Sequence, residues 1–485
     1  MASSLNFQHG PTWSATPTRV RAPLTPDGVI VSFGTAPVHR LPGGASQVNK
    51  LILADSLATA FKSIDQSKNY KAFTLCELVD KAFRKYKIGP LVLINVLDPN
   101  VHYKTVSPFT KSVVDGRIVT PDDAIYDSVV VKNISGDKTY VLGSDYLLSY
   151  NKDENLVVTV LKTGAAAAEK SLSIGYDKIN PSAVTDSDII GGFDAATDRY
   201  TGLELIEMVP TEFGLIPGFI HIPGRGSASV VAVATAKAQK IDSRYSCRVV
   251  VDLDTTLAKT VAEVLSAKNG HNIVDPRQIA LWPNVMVDGV VSNLSTDYVC
   301  VAKQVDASNR GIPFESASNK PAKIDGLCLA DGTPVKLPLS QANYLNGIGI
   351  VTAINDNGWK IWGSRAASYP SDTDIQNMFI PVGRMVDFAG NNAVMRTVQF
   401  TDKPGNRRLL EGVADTLQLD YNGWMSAGAI LGGRIEFPKD ENPDNQIMDG
   451  HYVFRSSFGW VTPAEHIEHR IEFDINYTSS LTAGK

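Results

Sequence analysis

The sequence withholds cysteine pairs, clustered histidines and any excess of positive charge. Its four cysteines, Cys76, Cys247, Cys300 and Cys328, are scattered, with no C-x-x-C pair and no histidine at metal-ligand spacing from any of them. That argues against a zinc ribbon or a disulfide framework and leaves buried, reduced thiols as the expectation. Lysine and arginine number 46 against 51 acidic residues, a net charge of -5 and a pI near 5.9. Such a balance argues against a dedicated nucleic-acid binder, so no direct nucleic-acid partner is expected. The apolar runs are too short to span a bilayer, so no membrane insertion is expected. The start, Met1 to Gly10, lacks a basic stretch followed by an apolar one, which speaks against a secretory signal and for a cytosolic product. Neither G-x-S-x-G nor H-E-x-x-H occurs, and no P-loop lysine follows a glycine-rich turn.

What is present is an ordinary globular composition, 43% hydrophobic and 20% charged, on a chain of 485 residues. That length exceeds the size at which single cores stop growing, so several domains are expected. Residues 1–24 carry Pro11, Pro17 and Pro23 around Trp13, Thr16 and Val20, a composition that resists helix and reads as an extended arm. A large aromatic such as Trp13 in an arm with little core of its own calls for burial against another surface. From residue 25 to 99 strand and helix patterns alternate: a strand at Val29 to Phe33, helices at Ala54 to Phe61 and Leu75 to Tyr86, and the apolar strand Leu91 to Val96. Residues 100–195 read as short strands separated by turns, a small β-sandwich or barrel inserted into the α/β unit.

Alternation resumes over residues 196–380, with helices expected at Thr201 to Met208, Ala228 to Lys240 and Thr256 to Lys268. Strands are expected at Gly218 to Ile222, Arg248 to Leu253 and Gln278 to Val287. The fold class is therefore α/β in a broad, multi-domain sense: a helix-covered mixed sheet, an inserted β domain and extended terminal arms. Residues 381–469 form a further unit with helices expected at Val382 to Phe400 and Arg407 to Met425. Residues 470–485 form a C-terminal strand arm. In that arm Ile471, Phe473, Ile475 and Tyr477 fall on one face and Arg470, Glu472, Asp474 and Asn476 on the other. A strand with strict period two and no later hairpin partner must find a sheet elsewhere, in its own subunit or another.

The sharpest enzymatic pattern is Val249-Val-Val-Asp252-Leu-Asp254-Thr-Thr256, a strand ending in D-x-D-x-T. It resembles the first motif of haloacid-dehalogenase-like phosphatases, in which the first aspartate attacks phosphorus and the second handles the leaving-group proton. That chemistry also needs a lysine and a downstream acidic pair for magnesium, and the next strand ends Leu281-Trp-Pro-Asn284 instead. The bland alternative has Asp252 and Asp254 capping the strand end and the following helix. Gly224-Arg-Gly226 lacks the third glycine of a dinucleotide site and reads as a plain turn. His466 and His469 read as solvated rather than metal-binding. Lys403, Arg407 and Arg408 open a helix at its electrostatically unfavourable end, an arrangement that suits either a partner or simple solvation.

Taken together, the motifs resemble those of contractile tail sheath proteins of phages, bacteriocins and related injection systems. The matches run in order: His9-Gly10, Thr16-Pro17-Thr18, Ser32-Phe33-Gly34-Thr35-Ala36-Pro37, Asn95-Val-Leu-Asp-Pro99, Gly143-Ser-Asp-Tyr146 and Asp188-Ile-Ile-Gly191. They continue with Gly214-Leu-Ile-Pro217, Asn319-Lys-Pro321, Leu345-Asn-Gly-Ile-Gly349, Trp362-Gly-Ser-Arg365, Gly432-Gly433 and Asp449-Gly450. Pro11 and Ser14 depart from the family's usual apolar and acidic residues in the first arm. The resemblance implies a structural, non-enzymatic subunit without cofactor that polymerises helically with itself, in hexameric rings, around an inner tail tube. It further implies baseplate and tail terminator proteins as partners and a place in the virion tail after assembly in the host cytoplasm. On this reading Trp13, Thr16, Val20, Ile471, Phe473, Ile475 and Tyr477 make intersubunit contacts, and Lys403, Arg407 and Arg408 are candidates for contact with the inner tube.

Overall fold

The computed structural model describes residues 28–196 and 198–481. The first arm, with Trp13, Thr16 and Val20, lies outside the described residues. Three strands open the chain: β1 (Val29–Gly34), β2 (Ile52–Ala54) and β3 (Leu91–Asn95), with α1 (Leu57–Ile64) and α2 (Thr74–Asp80) between the last two. The helix expected to run unbroken from Leu75 to Tyr86 is α2 followed by a wider π turn, Lys81–Tyr86.

After β3 the chain leaves this layer and forms β4 (Tyr103–Ser112), β5 (Arg117–Val119), β6 (Val130–Lys132), β7 (Tyr146–Tyr150), β8 (Leu156–Val160) and β9 (Ser171–Ile179). They make two three-stranded sheets, β4-β9-β6 and β5-β8-β7. Ile118, Tyr146, Leu156 and Val158 from one sheet and Val131, Leu172, Ile174 and Tyr176 from the other share a single core, which makes the pair a small sandwich. Arg40, almost fully buried, fastens the sandwich to the first layer. It donates to Asp123 at 2.9 and 2.6 Å and to Glu154 at 2.7 Å.

The chain then returns with β10 (Pro217–His221), α3 (Ala228–Gln239), β11 (Arg248–Asp252), α4 (Val261–Gly270) and β12 (Gln278–Leu281). Next come α5 (Leu294–Ser308), α6 (Leu339–Gly347), β13 (Ile350–Asn355) and β14 (Trp359–Trp362). The strands close one mixed eight-stranded sheet in the order β2-β3-β1-β10-β11-β12-β13-β14. Six are parallel, and the outer strands β2 and β14 pair antiparallel. Near-continuous Val, Ile and Leu runs suit strands covered on both faces. Alternate residues divide between two cores. Val31, Phe33, Val249 and Val251 pack with α3 on one face, and Ile30, Leu91, Leu93 and Val250 pack with α1, α2 and α5 on the other. Each fully buried side chain of this kind contributes about 1.5 to 3 kcal/mol.

Two expectations are corrected here. The strand expected across Gln278 to Val287 breaks at Pro283, which has no N–H for a ladder. Residues Asn284–Val287 pair instead in a separate four-stranded sheet. The helix expected from Thr256 starts at Val261, because Thr260 and Glu263 form a capping box.

A last unit comprises α7 (Ile380–Thr397), α8 (Arg407–Ser426) and the hairpin β15 (Ile430–Glu436) with β16 (Arg455–Trp460). The strand expected from His469 is absent from the single chain. Residues 461–474 have no ladder, and Ile475–Leu481 is a short 3-10 turn. A period-two sequence becomes a strand only when its N–H and C=O groups meet a second strand, and among the described residues this segment has none in its own subunit.

Candidate functional site

Strand order reverses beside β1, with β3 on one side and β10 on the other, and the loops leaving β1, β10, β11 and β12 surround a crevice of about 240 Å³. Small ligands commonly bind at such a place in open α/β sheets. Asp252 ends β11 at its wall, but its carboxylate is spent within the protein. Oδ1 accepts the Ser295 N–H at 3.0 Å, and Oδ2 accepts the Ser295 hydroxyl at 2.5 Å and the Gly224 N–H at 3.2 Å. Asp252 thus caps α5, a helix distant in sequence, and not the helix that follows it. Burial outweighs these donors and pushes its pKa up to about 6. Asp254 folds back to accept Thr256 N–H at 2.7 Å.

Around Asp252 the polar groups continue into a closed network. His221 lies between Ser32 (3.0 Å) and Ser295 (3.1 Å), and burial, with the nearby Lys81 charge, pushes its pKa down to about 3. Lys81 meets Glu77 at 3.0 Å and Asp297 at 2.6 Å, and Tyr86 donates to Asp297 at 2.7 Å, all of them buried. The buried lysine nearest in role to a phosphatase lysine is therefore neutralised by two carboxylates. Among the described residues no group of three His, Cys, Asp or Glu side chains is arranged to hold a metal. The D-x-D-x-T pattern is a capping device. Gly224 to Gly226 is the expected turn, and a Cβ on Gly226 would lie 2.3 Å from the Asp252 carbonyl oxygen, so glycine is needed there for close approach.

The second candidate lies in the last unit. Tyr421 and Trp424 on α8 pack against Phe388 of α7 and Phe458 of β16, with ring centroids 4.7 to 5.3 Å apart. This cluster holds the β15–β16 hairpin on the helices. The hairpin stays two-stranded, so among the described residues both its outer edges lack ladder partners, and Leu431 on it is 75% exposed. Beyond it the tail presents Ile471, Phe473, Ile475 and Tyr477 at 93, 84, 71 and 77% exposure. One chain therefore carries an open sheet and an uncovered apolar strand sequence, and does not bring them together. Arg407 is the first residue of α8, paired with Glu411 at 2.8 Å, and Lys403 and Arg408 are exposed beside it. His466 and His469 are exposed, as expected, and all four cysteines are buried and free. Sequence reading missed Arg40, Ser295 and Asp387, whose partners are distant in sequence.

No protein-family model matches the chain. It is similar to the "Tail sheath protein" of Burkholderia phage BcepMu, 26% identical over 476 residues covering 94% of each chain. It is also similar to the "Tail sheath protein" of Escherichia phage P2, 21% identical over 412 residues, which covers 80% of this chain and 96% of the relative. Among solved structures, the sheath complex of an extracellular contractile injection system (PVC) in its contracted state superposes with a TM-score of 0.56 at 13% identity. That match covers 97% of this chain and 99% of the other, a likeness of fold.

Proposed function

We infer that this chain, which belongs to the contractile tail sheath family, is the repeating subunit of a helical sheath that surrounds an inner tube and contracts to drive it through a bacterial envelope. The observation that carries this reading is the pairing, in one subunit, of an open two-stranded hairpin with an exposed apolar strand sequence at Ile471, Phe473, Ile475 and Tyr477. Strand addition between copies satisfies both at once: ladder hydrogen bonds form and alternate side chains are buried. Each of those four residues contributes on the order of 1.5 to 3 kcal/mol on burial, before ordering costs. Contacts that pass from copy to copy without closing build a filament.

The finer reading is as follows. The subunits stack in hexameric rings, and arms at both ends, Trp13, Thr16 and Val20 in the first and Ile471 to Tyr477 in the last, join neighbouring copies. Lys403, Arg407 and Arg408, exposed at the start of α8, face the inner tube. Residues 1–24 and 470–485 are the arms, 25–99 and 196–380 the α/β core, 100–195 an outward-facing insert and 381–469 the C-terminal sheath domain. The subunit is not an enzyme and works without cofactor, and the spent Asp252 carboxylate supports that. Baseplate and tail terminator proteins bound the sheath at its ends, in a virion tail assembled in the host cytoplasm. Electron microscopy of the purified protein tests the reading. Long tubes are expected, whereas uniform small particles with magnesium-dependent phosphatase activity would overturn it.

A further inference from the structure

Arg365 lies just past β14, where the chain turns from the main sheet toward α7. Its guanidinium is sandwiched between the rings of Tyr369 and Phe379, 4.4 and 4.2 Å from their centroids, and Nη1 lies 3.0 Å from the Met378 sulfur. The free edge of this fixed fork engages both oxygens of Glu465: Nε donates to Oε1 at 3.1 Å and to Oε2 at 2.8 Å, and Nη2 donates to Oε2 at 2.5 Å. Most exposed ion pairs contribute little, because two flexible chains must be ordered to make them. This one differs, since the arginine is already immobilised by two aromatic faces and a forked contact fixes the carboxylate's direction as well as its distance.

The position of the pair gives it a role. Glu465 follows closely on β16 and stands a hundred residues from Arg365, so the contact ties the chain leaving the main sheet to the end of the C-terminal unit. The strap between β16 and Glu465 lines an open groove of about 620 Å³ together with Phe314, Asn343 and Trp362. This strap is held at its far end by Arg365. Beyond Glu465 every residue whose side chain is described is exposed through Leu481.

We propose that the Arg365–Glu465 pair is a pin that sets where and in what direction the C-terminal arm leaves the subunit, and so fixes the spacing between copies joined by that arm. The proposal rests on the arm reading above. Without the pin the free arm lengthens by the strap, roughly 15 Å of extended chain. Arms would still pair, but over a range of spacings.

Glu465→Lys tests this in the full chain, since Glu465 is partly exposed and its replacement leaves Arg365 between its rings. The expected result is an unchanged thermal melt and polymers that still pellet, with the layer lines of wild-type tubes blurred or lost in electron micrographs. Glu465→Asp, which keeps the charge, should restore much of the order. Wild-type helical order in Glu465→Lys, loss of all polymer, or a melt lowered by more than a few degrees would each overturn the pin. A chain lacking residues 466–485 separates the two ideas. If it still forms ordered tubes the arm reading itself fails, whereas if it forms none while Glu465→Lys assembles normally only the pin fails.

Discussion

Arg248, the first residue of β11, donates its Nε to the Asp387 carboxylate of α7 at 2.5 Å, and both side chains are buried. Arg277 and Ser246 reach the other oxygen of Asp387, each at 2.8 Å, and Arg248 also donates to the carbonyl oxygens of Pro276 and Gly383. A Cβ on Gly383 would lie 2.7 Å from that guanidinium, so the helix approaches the sheet through a glycine. One carboxylate thus bolts the C-terminal unit to the starting ends of the central parallel strands.

Asp387→Ala should therefore destabilise the subunit by about 3 to 5 kcal/mol, because it leaves Arg248 charged, buried and without its counter-ion. Denaturant unfolding of the monomer measures this. A cost under about 1 kcal/mol would mean that water reaches Arg248 and the bolt is not closed.

Asp252→Asn should leave tube formation and contraction intact, since the carboxylate serves as a cap. Its folded pKa, raised to about 6 by burial, lies above its unfolded value near 3.9. The folded state then holds the proton more tightly, so this stabilising contribution is complete below about pH 4 and is lost as pH rises through 6. Relative to Asp252→Asn, the wild type should lose about 2 kcal/mol of stability between pH 4 and 7. Parallel pH profiles of the two proteins would disprove the shift, and loss of a hydrolytic activity in the variant would disprove the structural role.

Joining Pro99 to Asp188 by a short Gly/Ser linker, so that the inserted sandwich is removed, should give a subunit that still polymerises. The incoming and outgoing segments lie together: His102 is 3.4 Å from Asp188, and Asp98, His102, Asp188 and Gly191 line one depression. Removal also strips Arg40 of Asp123 and Glu154, so Arg40→Met belongs in the same variant to avoid a stranded buried charge. Sedimentation that finds only folded monomers would assign lattice contacts to the sandwich.

Deleting residues 470–485, or residues 1–22, should leave a cooperatively folding monomer that forms no tubes. Phe473→Asp should do the same, whereas Asp474→Asn on the opposite side should matter little. Sedimentation beside a thermal melt decides: ordered tubes from the truncated chain, or an unfolded monomer, would remove the arms as links between copies.

Much of this was legible locally. The Val249 to Val251 run announced a strand covered on both faces, the amphipathic stretches at Val382 and Arg407 announced α7 and α8, and Ile471 to Tyr477 announced a strand sequence needing a partner. The partner is another matter. In the single subunit the tail is an uncovered coil and turn, because pairing depends on a second backbone that the tail's own sequence does not contain. Elsewhere one residue changed the outcome, as Pro283 split a single apolar run between two sheets.

The sequence by itself determined which segments alternate and which face of each is apolar, because these follow from neighbours a few residues apart. Only the tertiary structure decided that Asp252 caps a helix starting 42 residues later, that Arg40 clamps the inserted sandwich and that Arg365 holds Glu465. Such contacts arise between residues tens to hundreds of positions apart, and their geometry exists only once the packed sheet has fixed the register and direction of the strands that carry them.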